Sequence, residues 1–137
     1  MKRVGTLLVV VLLAWGALAP FAQAAPRSPF TGSWIGADPA PPVGDGSTLH
    51  LSISGGEHPR ITFVDLRGNI CVRNDAPTDT FASRLAGHAH GNELSAMYVE
   101  AHCGSTSFEF LRGWETTFWY DPATDTLTDG YSTFWRR

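Results

Sequence analysis

The sequence predicts an all-β protein: an antiparallel up-and-down barrel of eight or nine strands that follows an N-terminal signal peptide. After residue 24, short stretches of alternating apolar and polar residues are separated by turn residues, and no window shows the apolar period of a helix. No gap between these stretches is long enough for a crossover helix, which excludes a parallel sheet. Their regular spacing is typical of a barrel or a sandwich.

Residues 1–24 have the composition of a cleavable export signal. Basic side chains come first, residues 4–19 are apolar, and Ala22–Ala24 is a small-x-small cleavage site. The apolar run is shorter than the roughly 20 residues that span a bilayer. We therefore predict a secreted or extracytoplasmic protein without a membrane anchor after cleavage. Residues 25–137 are predicted to form a single barrel domain.

The charge of the exported chain bears on its partners. Cleavage would remove two of the ten basic residues and none of the 13 acidic ones, which leaves a net charge of −5. Contacts to phosphate dominate the affinity of proteins for nucleic acids. An acidic chain without a basic stripe therefore argues against nucleic acid as a partner.

Cys71 and Cys103 are the two cysteines of the chain. An even count in an exported protein predicts a disulfide between them, with two buried free thiols as the alternative. Closing that loop would stabilise the fold by roughly 3–4 kcal/mol in the chain-entropy model.

The strands are predicted from alternation and from the turn residues between them. The first four candidates are Gly32–Ala37, Ser47–Ser54, Arg60–Leu66 and Asn69–Arg73. The next two are Asp79–His90 and Glu93–Cys103, on either side of the turn pair Gly91-Asn92. The last three are Ser107–Asp121, Asp125–Thr128 and Tyr131–Arg136. Asp129-Gly130 before the final strand is a strong signal for a two-residue hairpin turn.

The two ends of the barrel carry a family resemblance. Gly32-Ser33-Trp34 resembles the G-x-W motif on the first strand of the calycins, the barrel superfamily of lipocalins, fatty-acid-binding proteins and avidins. In those families the tryptophan closes one end of the barrel, and an arginine of the last strand packs over it. The resemblance implies that Gly32, Trp34 and Arg136 form this cap. No helix follows the last strand, so the chain is most similar to small bacterial lipocalin-like barrels.

Inward-facing polar residues predict a binding site. An uninterrupted register places Ser83, Tyr98 and Glu100 on the inner face of one hairpin. The same register places Arg112 and Trp114 on the inner face of the next strand, with Glu100 opposite Arg112. This predicts the polar floor of a pocket for a small apolar or amphipathic molecule. A buried ion pair with a purely structural role is the alternative.

The histidines raise the possibility of a metal site. His88 and His90 lie two residues apart on one strand, and His102 lies on the next. The hairpin register separates His102 from His88 by seven residues, or roughly 23 Å, and predicts opposite faces for them. We interpret His88, His90 and Glu93 as solvated polar residues at the hairpin tip. No native metal site and no cofactor are predicted.

The residue patterns favour a binding protein over an enzyme. There is no G-x-S-x-G elbow before a helix, and a disulfide would leave no cysteine for a Cys-His pair. We predict a non-enzymatic barrel that binds a small, partly apolar molecule. The alternative is a protein-interaction module, such as an inhibitor of an extracellular enzyme, acting through residues 25–29 or the proline-rich loop Asp38–Gly46. The outward-facing Trp119 either belongs to such a contact surface or packs under that loop.

Overall fold

The computed structural model describes residues 28–41 and 44–137, so the predicted export signal and its cleavage site lie outside the described residues. Within them the chain forms nine strands, one short helix and one 3₁₀ helix. The strands are β1 (Gly32–Ala37), β2 (Thr48–Ser54), β3 (Arg60–Asp65), β4 (Phe81–His90), β5 (Glu93–Cys103), β6 (Thr106–Ser107), β7 (Glu115–Asp121), β8 (Thr126–Thr128) and β9 (Thr133–Arg136). The helix α1 is Asn69–Arg73, and the 3₁₀ helix is Glu109–Leu111.

Eight of these strands close into a ring. Their order is β1-β2-β3-β4-β5-β7-β8-β9, and β9 pairs back with β1. Every pairing is antiparallel, and β6 adds to β5 outside the ring. The predicted up-and-down barrel is therefore confirmed.

Two packed clusters of side chains fill the interior. The larger is built from twelve buried residues: Phe30, Trp34, Leu49, Leu51, Ile53, Ile61, Leu85, Leu94, Ala96, Phe118, Leu127 and Phe134. The smaller contains Cys71, Phe81, Ala101, Cys103 and Phe108. Phe63 and Tyr98 are partly buried and pack against both clusters, so the two form a continuous core.

Residues 69–73 are helix α1, and the prediction of a strand there is wrong. Cys71 is the one buried residue of residues 69–73, so this segment lacks the alternating buried side chains of a strand. The amide of Cys71 donates to the carbonyl of Gly68 at 2.8 Å, which begins the turn. The sulfur atoms of Cys71 and Cys103 lie at bonding distance, with their Cα atoms 5.7 Å apart. The predicted disulfide thus ties α1 to the end of β5.

The register between β4 and β5 shifts by one residue. Ahead of the shift Leu85 pairs with Tyr98, and beyond it Arg84 pairs with Glu100. Val99 is therefore an extra residue in β5, a β-bulge. Because successive side chains of a strand point to opposite faces, one extra residue reverses the faces of everything after it.

The bulge corrects the predicted inner face of β5. Beyond Val99, Ala101 and Cys103 point into the barrel and are buried. Glu100 and His102 alternate with them and so point outward. The prediction that Glu100 shares the inner face with Tyr98 is wrong, and so is the prediction of opposite faces for His102 and His88, because both assumed an uninterrupted ladder.

The predicted long strand over residues 107–121 is also interrupted. Phe108 is buried in the smaller cluster, the 3₁₀ helix follows it, and β7 begins only at Glu115. Gly113 has a φ of +85°, which a residue with a side chain rarely adopts. Because of this break, Arg112 and Trp114 lie in the connection before β7 rather than in a strand.

One end of the barrel is closed by the Trp34–Arg136 pair. The guanidinium carbon of Arg136 lies 4.1 Å from the centroid of the buried indole. Arg136 also donates to the carbonyls of Pro29 and Thr31, at 2.8 and 2.9 Å. A Cβ built on Gly32 would lie 3.0 Å from Arg136 Nη1, and Gly32 has a φ of +144°. The glycine of the G-x-W motif therefore makes room for the arginine, in the arrangement that the resemblance implies.

The ion pair of Arg136 with Asp125 predicts a dependence of stability on pH. The arginine holds the pKa of the Asp125 carboxyl below its ordinary value of 3.8. A lowered folded pKa means that the stabilisation is complete above that ordinary value and is lost as pH falls through the folded pKa. We expect Asp125→Asn to be less stable than the parent at pH 7, with the difference shrinking as the pH falls below 3.8. Urea unfolding at neutral and acidic pH measures it.

Asp79→Asn is a suitable control for that experiment. Asp79 is exposed and lies outside the two ion pairs that the described residues form. Its effect on the midpoint should be small at both pH values. An Asp125→Asn deficit of the same size at neutral and acidic pH would show that the Arg136 ion pair does not contribute.

Candidate functional site

The side chains of the five residues predicted to line one pocket do not share one interior face. Ser83 is fully buried inside the barrel, and Tyr98 is largely buried between the two core clusters. Glu100 lies on the outer face of β5, beyond the bulge. Arg112 and Trp114 follow the 3₁₀ helix and are exposed. The Tyr98 amide still donates to the Trp114 carbonyl at 2.9 Å, but the bulge places Glu100 on the outer face, and Arg112 and Trp114 are exposed after the break before β7.

Glu100 pairs with Arg84 rather than with Arg112, so the predicted Glu100–Arg112 pair is wrong. The guanidinium of Arg84 contacts the Glu100 carboxylate on the outer surface. This hydrogen bond holds the pKa of Glu100 below its usual range. Both side chains are well exposed, and exposed ion pairs contribute little to stability.

Two of the five predicted residues, Ser83 and Tyr98, keep a hydroxyl group inside the barrel. Burial raises the pKa of the Tyr98 phenol, and the charge of Asp129 raises it further, so the phenol stays protonated at neutral pH. The hydroxyl of Ser83 is buried and has no hydrogen-bond partner among the described residues. Both side chains lie within or beside packed apolar groups rather than around an open chamber.

Two sizeable clefts lie on the outside of the barrel. One, of about 470 Å³, is lined by outward-facing residues of β2, β3 and β4, among them Ser52, Thr62 and Arg84. Another, of about 390 Å³, runs over β4, β5 and β7 beside His88 and Met97. Both are open to solvent. Within the described residues, these recesses are surface grooves.

The largest exposed side chains on β7, β9 and the loop between β8 and β9 are aromatic. Trp119, Tyr131 and Trp135 are 46%, 78% and 52% exposed, and we call them the aromatic face. Trp119 of β7 pairs with Thr128 of β8, and Trp135 of β9 pairs with Thr126 of β8. The two indoles therefore flank the outward threonines of β8, on strands roughly 10 Å apart at the usual sheet spacing.

The aromatic face is continuous with the proline-rich loop. A Cβ built on Gly130 would lie 3.8 Å from the Trp119 ring, so the loop of Tyr131 borders that indole. In the same loop the Ser132 hydroxyl donates to an Asp38 carboxylate oxygen at 3.3 Å. Asp38 begins the proline-rich loop, of which residues 38–41 and 44–46 are described. The loop and the aromatic face thus form one surface.

The connection that carries Tyr131 is longer than predicted. Thr128 pairs with Thr133, so residues 129–132 form a four-residue loop rather than a two-residue turn. The Asp129 carboxylate accepts hydrogen bonds from the amides of Tyr131 and Ser132, at 3.0 and 2.7 Å. These bonds fix the loop and leave the Tyr131 side chain pointing to solvent.

Sequence reasoning identified Trp119 but missed Tyr131 and Trp135. The signal for Trp135 was available, because alternation along β9 buries Phe134 and turns its neighbour outward. Trp114 is also exposed, at 61%, but it lies before β7, where its backbone carbonyl accepts from the Tyr98 amide at 2.9 Å. Trp114 is therefore an exposed tryptophan outside the aromatic face and can serve as a control for Trp119 and Trp135.

The hairpin tip between β4 and β5 has the predicted register. His90 pairs with Glu93, and His88 pairs with Ser95. All of these side chains are exposed. His88, however, stacks on His58, a residue of the β2–β3 loop that the sequence patterns had not singled out.

Comparisons with protein-family models, curated proteins and solved structures find no match for this chain. Neither helix of the described residues is long and apolar enough to cross a membrane.

Proposed function

We propose that this chain is a secreted, non-enzymatic, calycin-like barrel that binds a folded extracellular protein through its aromatic face and the adjoining proline-rich loop. The observation that carries the proposal is the exposure of Trp119, Tyr131 and Trp135 on one surface with that loop. Tryptophan and tyrosine are enriched in protein interfaces and supply much of their binding energy. The cysteine pair at bonding distance is consistent with a location outside the cytoplasm.

The loop is suited to binding because its base is held before a partner arrives. The Gly46 amide donates to the Pro39 carbonyl at 3.1 Å, and the Asp45 amide donates to Asp38 Oδ2 at 3.2 Å. Pro39 and Pro41, in the described part of the loop, restrict the backbone further. A restrained loop loses less conformational entropy on binding, which favours affinity. An extracellular enzyme inhibited through this loop is the partner that the sequence suggested.

Binding of a small, partly apolar molecule inside the barrel stays a prediction. It would require the two interior clusters to open, because aromatic and aliphatic side chains occupy the space between the strands. The packed interior and the exposed aromatic side chains together favour a protein partner.

Site-specific photo-crosslinking tests the proposal. We expect p-benzoylphenylalanine in place of Tyr131 to form an adduct with one defined protein among the secreted proteins of the native host. The same probe at Thr62 is the matched control. Thr62 is exposed on β3, which lies opposite β8 in the ring of eight strands. Absence of an adduct at Tyr131, or the same adduct from both positions, would contradict the proposal.

The affinity of the barrel for the captured protein provides a second test of binding through the aromatic face. We expect Trp119→Ala and Trp135→Ala each to weaken binding by about 2 kcal/mol, or roughly thirtyfold, as central interface tryptophans do. Trp114→Ala should leave the affinity unchanged, because that tryptophan lies outside the aromatic face. Thermal unfolding of all three variants confirms that the barrel is intact, and equal losses in all three would contradict the assignment of the surface.

A further inference from the structure

His58 and His88 form a cross-strand pair on the outer surface, where the β3–β4 ladder continues into the β2–β3 loop. The carbonyls of Glu57 and Pro59 accept hydrogen bonds from the amides on either side of His88, each at 2.8 Å. Two hydrogen bonds thus flank the histidine pair. In an antiparallel ladder, facing side chains at such a position approach each other most closely. The backbone therefore holds the two imidazoles face to face.

The distance between the two rings matches that of two ligands on one metal ion. The ring centroids are 5.0 Å apart, and the Nδ1 atoms are 3.3 Å apart. Two nitrogens at about 2.0–2.1 Å from one tetrahedral zinc ion are about 3.3–3.4 Å from each other. The imidazole nitrogens thus have the spacing of a shared zinc ion.

Glu57 supplies a third ligand atom. A carboxylate oxygen of Glu57 and one ring nitrogen each of His58 and His88 all lie within 4.8 Å of one another. All three side chains are exposed, so an ion has access from solvent and a water molecule can complete its coordination. Two histidines, a glutamate and a water form one of the known zinc ligand sets with an open position.

We propose that Glu57, His58 and His88 bind one divalent transition-metal ion of the zinc class. Imidazole ligands favour zinc, copper and nickel over magnesium and calcium. The ion would join the β2–β3 loop to β4, and an ion that binds only the native state raises the thermal midpoint as its concentration increases. The site lies between the β2–β3 loop and β4, whereas the aromatic face spans β7 to β9, so the two proposals stand independently.

A hydrogen bond between two neutral imidazole rings is the alternative explanation of the 3.3 Å distance. That arrangement needs no metal and would persist in its absence. The two explanations differ in one measurable respect: only a metal site gives saturable binding of the ion that depends on both histidines.

Calorimetric titration of zinc chloride into the untagged, metal-free full chain tests the proposal. We expect one ion per chain, and at least about tenfold weaker binding for both His58→Ala and His88→Ala, or about 1.4 kcal/mol. His90→Ala is the matched control, because His90 is exposed two residues further along β4 but is not part of the group. Cobalt in place of zinc gives a second readout, since intense visible absorption bands indicate a four-coordinate ion.

The outcomes separate the explanations. Saturable binding that is lost in the His58 and His88 variants and kept in the His90 variant supports the site. No saturable binding to the parent, or equal loss in the His90 variant, overturns it and leaves the hydrogen bond between the rings. Thermal midpoints in the absence of metal show whether each variant is folded, and Glu57→Gln provides a variant that leaves both rings in place.

Discussion

Replacing Trp34 with alanine is expected to lower the free energy of unfolding by about 3–5 kcal/mol, the range for deletion of a buried aromatic side chain. Trp34 is almost fully buried in the larger cluster, where its ring meets Tyr120 edge-on. The substitution also removes the bond from Nε1 to the Phe30 carbonyl, at 2.8 Å, and the ring beneath Arg136. Urea unfolding followed by tryptophan fluorescence and by circular dichroism measures the loss.

Trp114→Ala is the matched control for this experiment. The same side chain is removed, but from an exposed position, so a change within about 0.5 kcal/mol is expected. A Trp34→Ala variant as stable as the Trp114→Ala variant would show that the cap does not hold the barrel together.

Removing the disulfide is expected to lower stability by about 3–4 kcal/mol, from the loop-closure entropy of the unfolded chain. Cys71 and Cys103 are 32 residues apart in sequence, and both are fully buried. Replacing both with alanine avoids placing an unpaired thiol in the smaller cluster. Urea unfolding of the double variant, and of the parent with and without reductant, measures the contribution.

The reductant provides the internal control. It should destabilise the parent and leave the double alanine variant unchanged. Intact mass should show the parent two hydrogen masses below its reduced form. Equal stability of the parent with and without reductant would contradict the expected contribution of the bridge.

The parts of the fold that follow local rules could be predicted from the sequence. Gly91-Asn92 fixed the β4–β5 turn, and with it the pairing of His88 with Ser95. The cap was implied by the resemblance of Gly32, Trp34 and Arg136 to the calycin motif, and the structure pairs Trp34 with Arg136 across β1 and β9. For the turn, two adjacent residues determine the geometry.

The errors concern features set by tertiary contacts. Alternation through Tyr98, Val99 and Glu100 gives no local sign of a bulge. The bulge allows Cys103 to face inward, where it meets Cys71 on α1. A single extra residue was enough to turn Glu100 outward and to remove the predicted pocket. The bulge does not change the order of the strands, but it removes Glu100 from the predicted pocket.

The histidine pair is a second feature that is set by tertiary contacts and could not be predicted from local sequence. His58 and His88 are 30 residues apart and lie in different elements, so no spacing rule joins them. The spacing in sequence groups His88 with His90 as a candidate pair of metal ligands. Its partner in space is set by the β3–β4 ladder, which continues beyond the strands themselves.

The closed ring also limits how a partner can be recognised. Each of its eight strands has a neighbour on both sides, so most of the backbone amides and carbonyls of the described strands are engaged within the ring. Among the described strands, the two-residue β6 and residues 115–118 of β7 each have one side without a strand partner. A peptide could therefore extend the sheet by β-augmentation only at these short stretches, and the same limit applies to aggregation through unpaired edges. Under the proposed function, selectivity for the partner would come from the outward-facing side chains of the barrel.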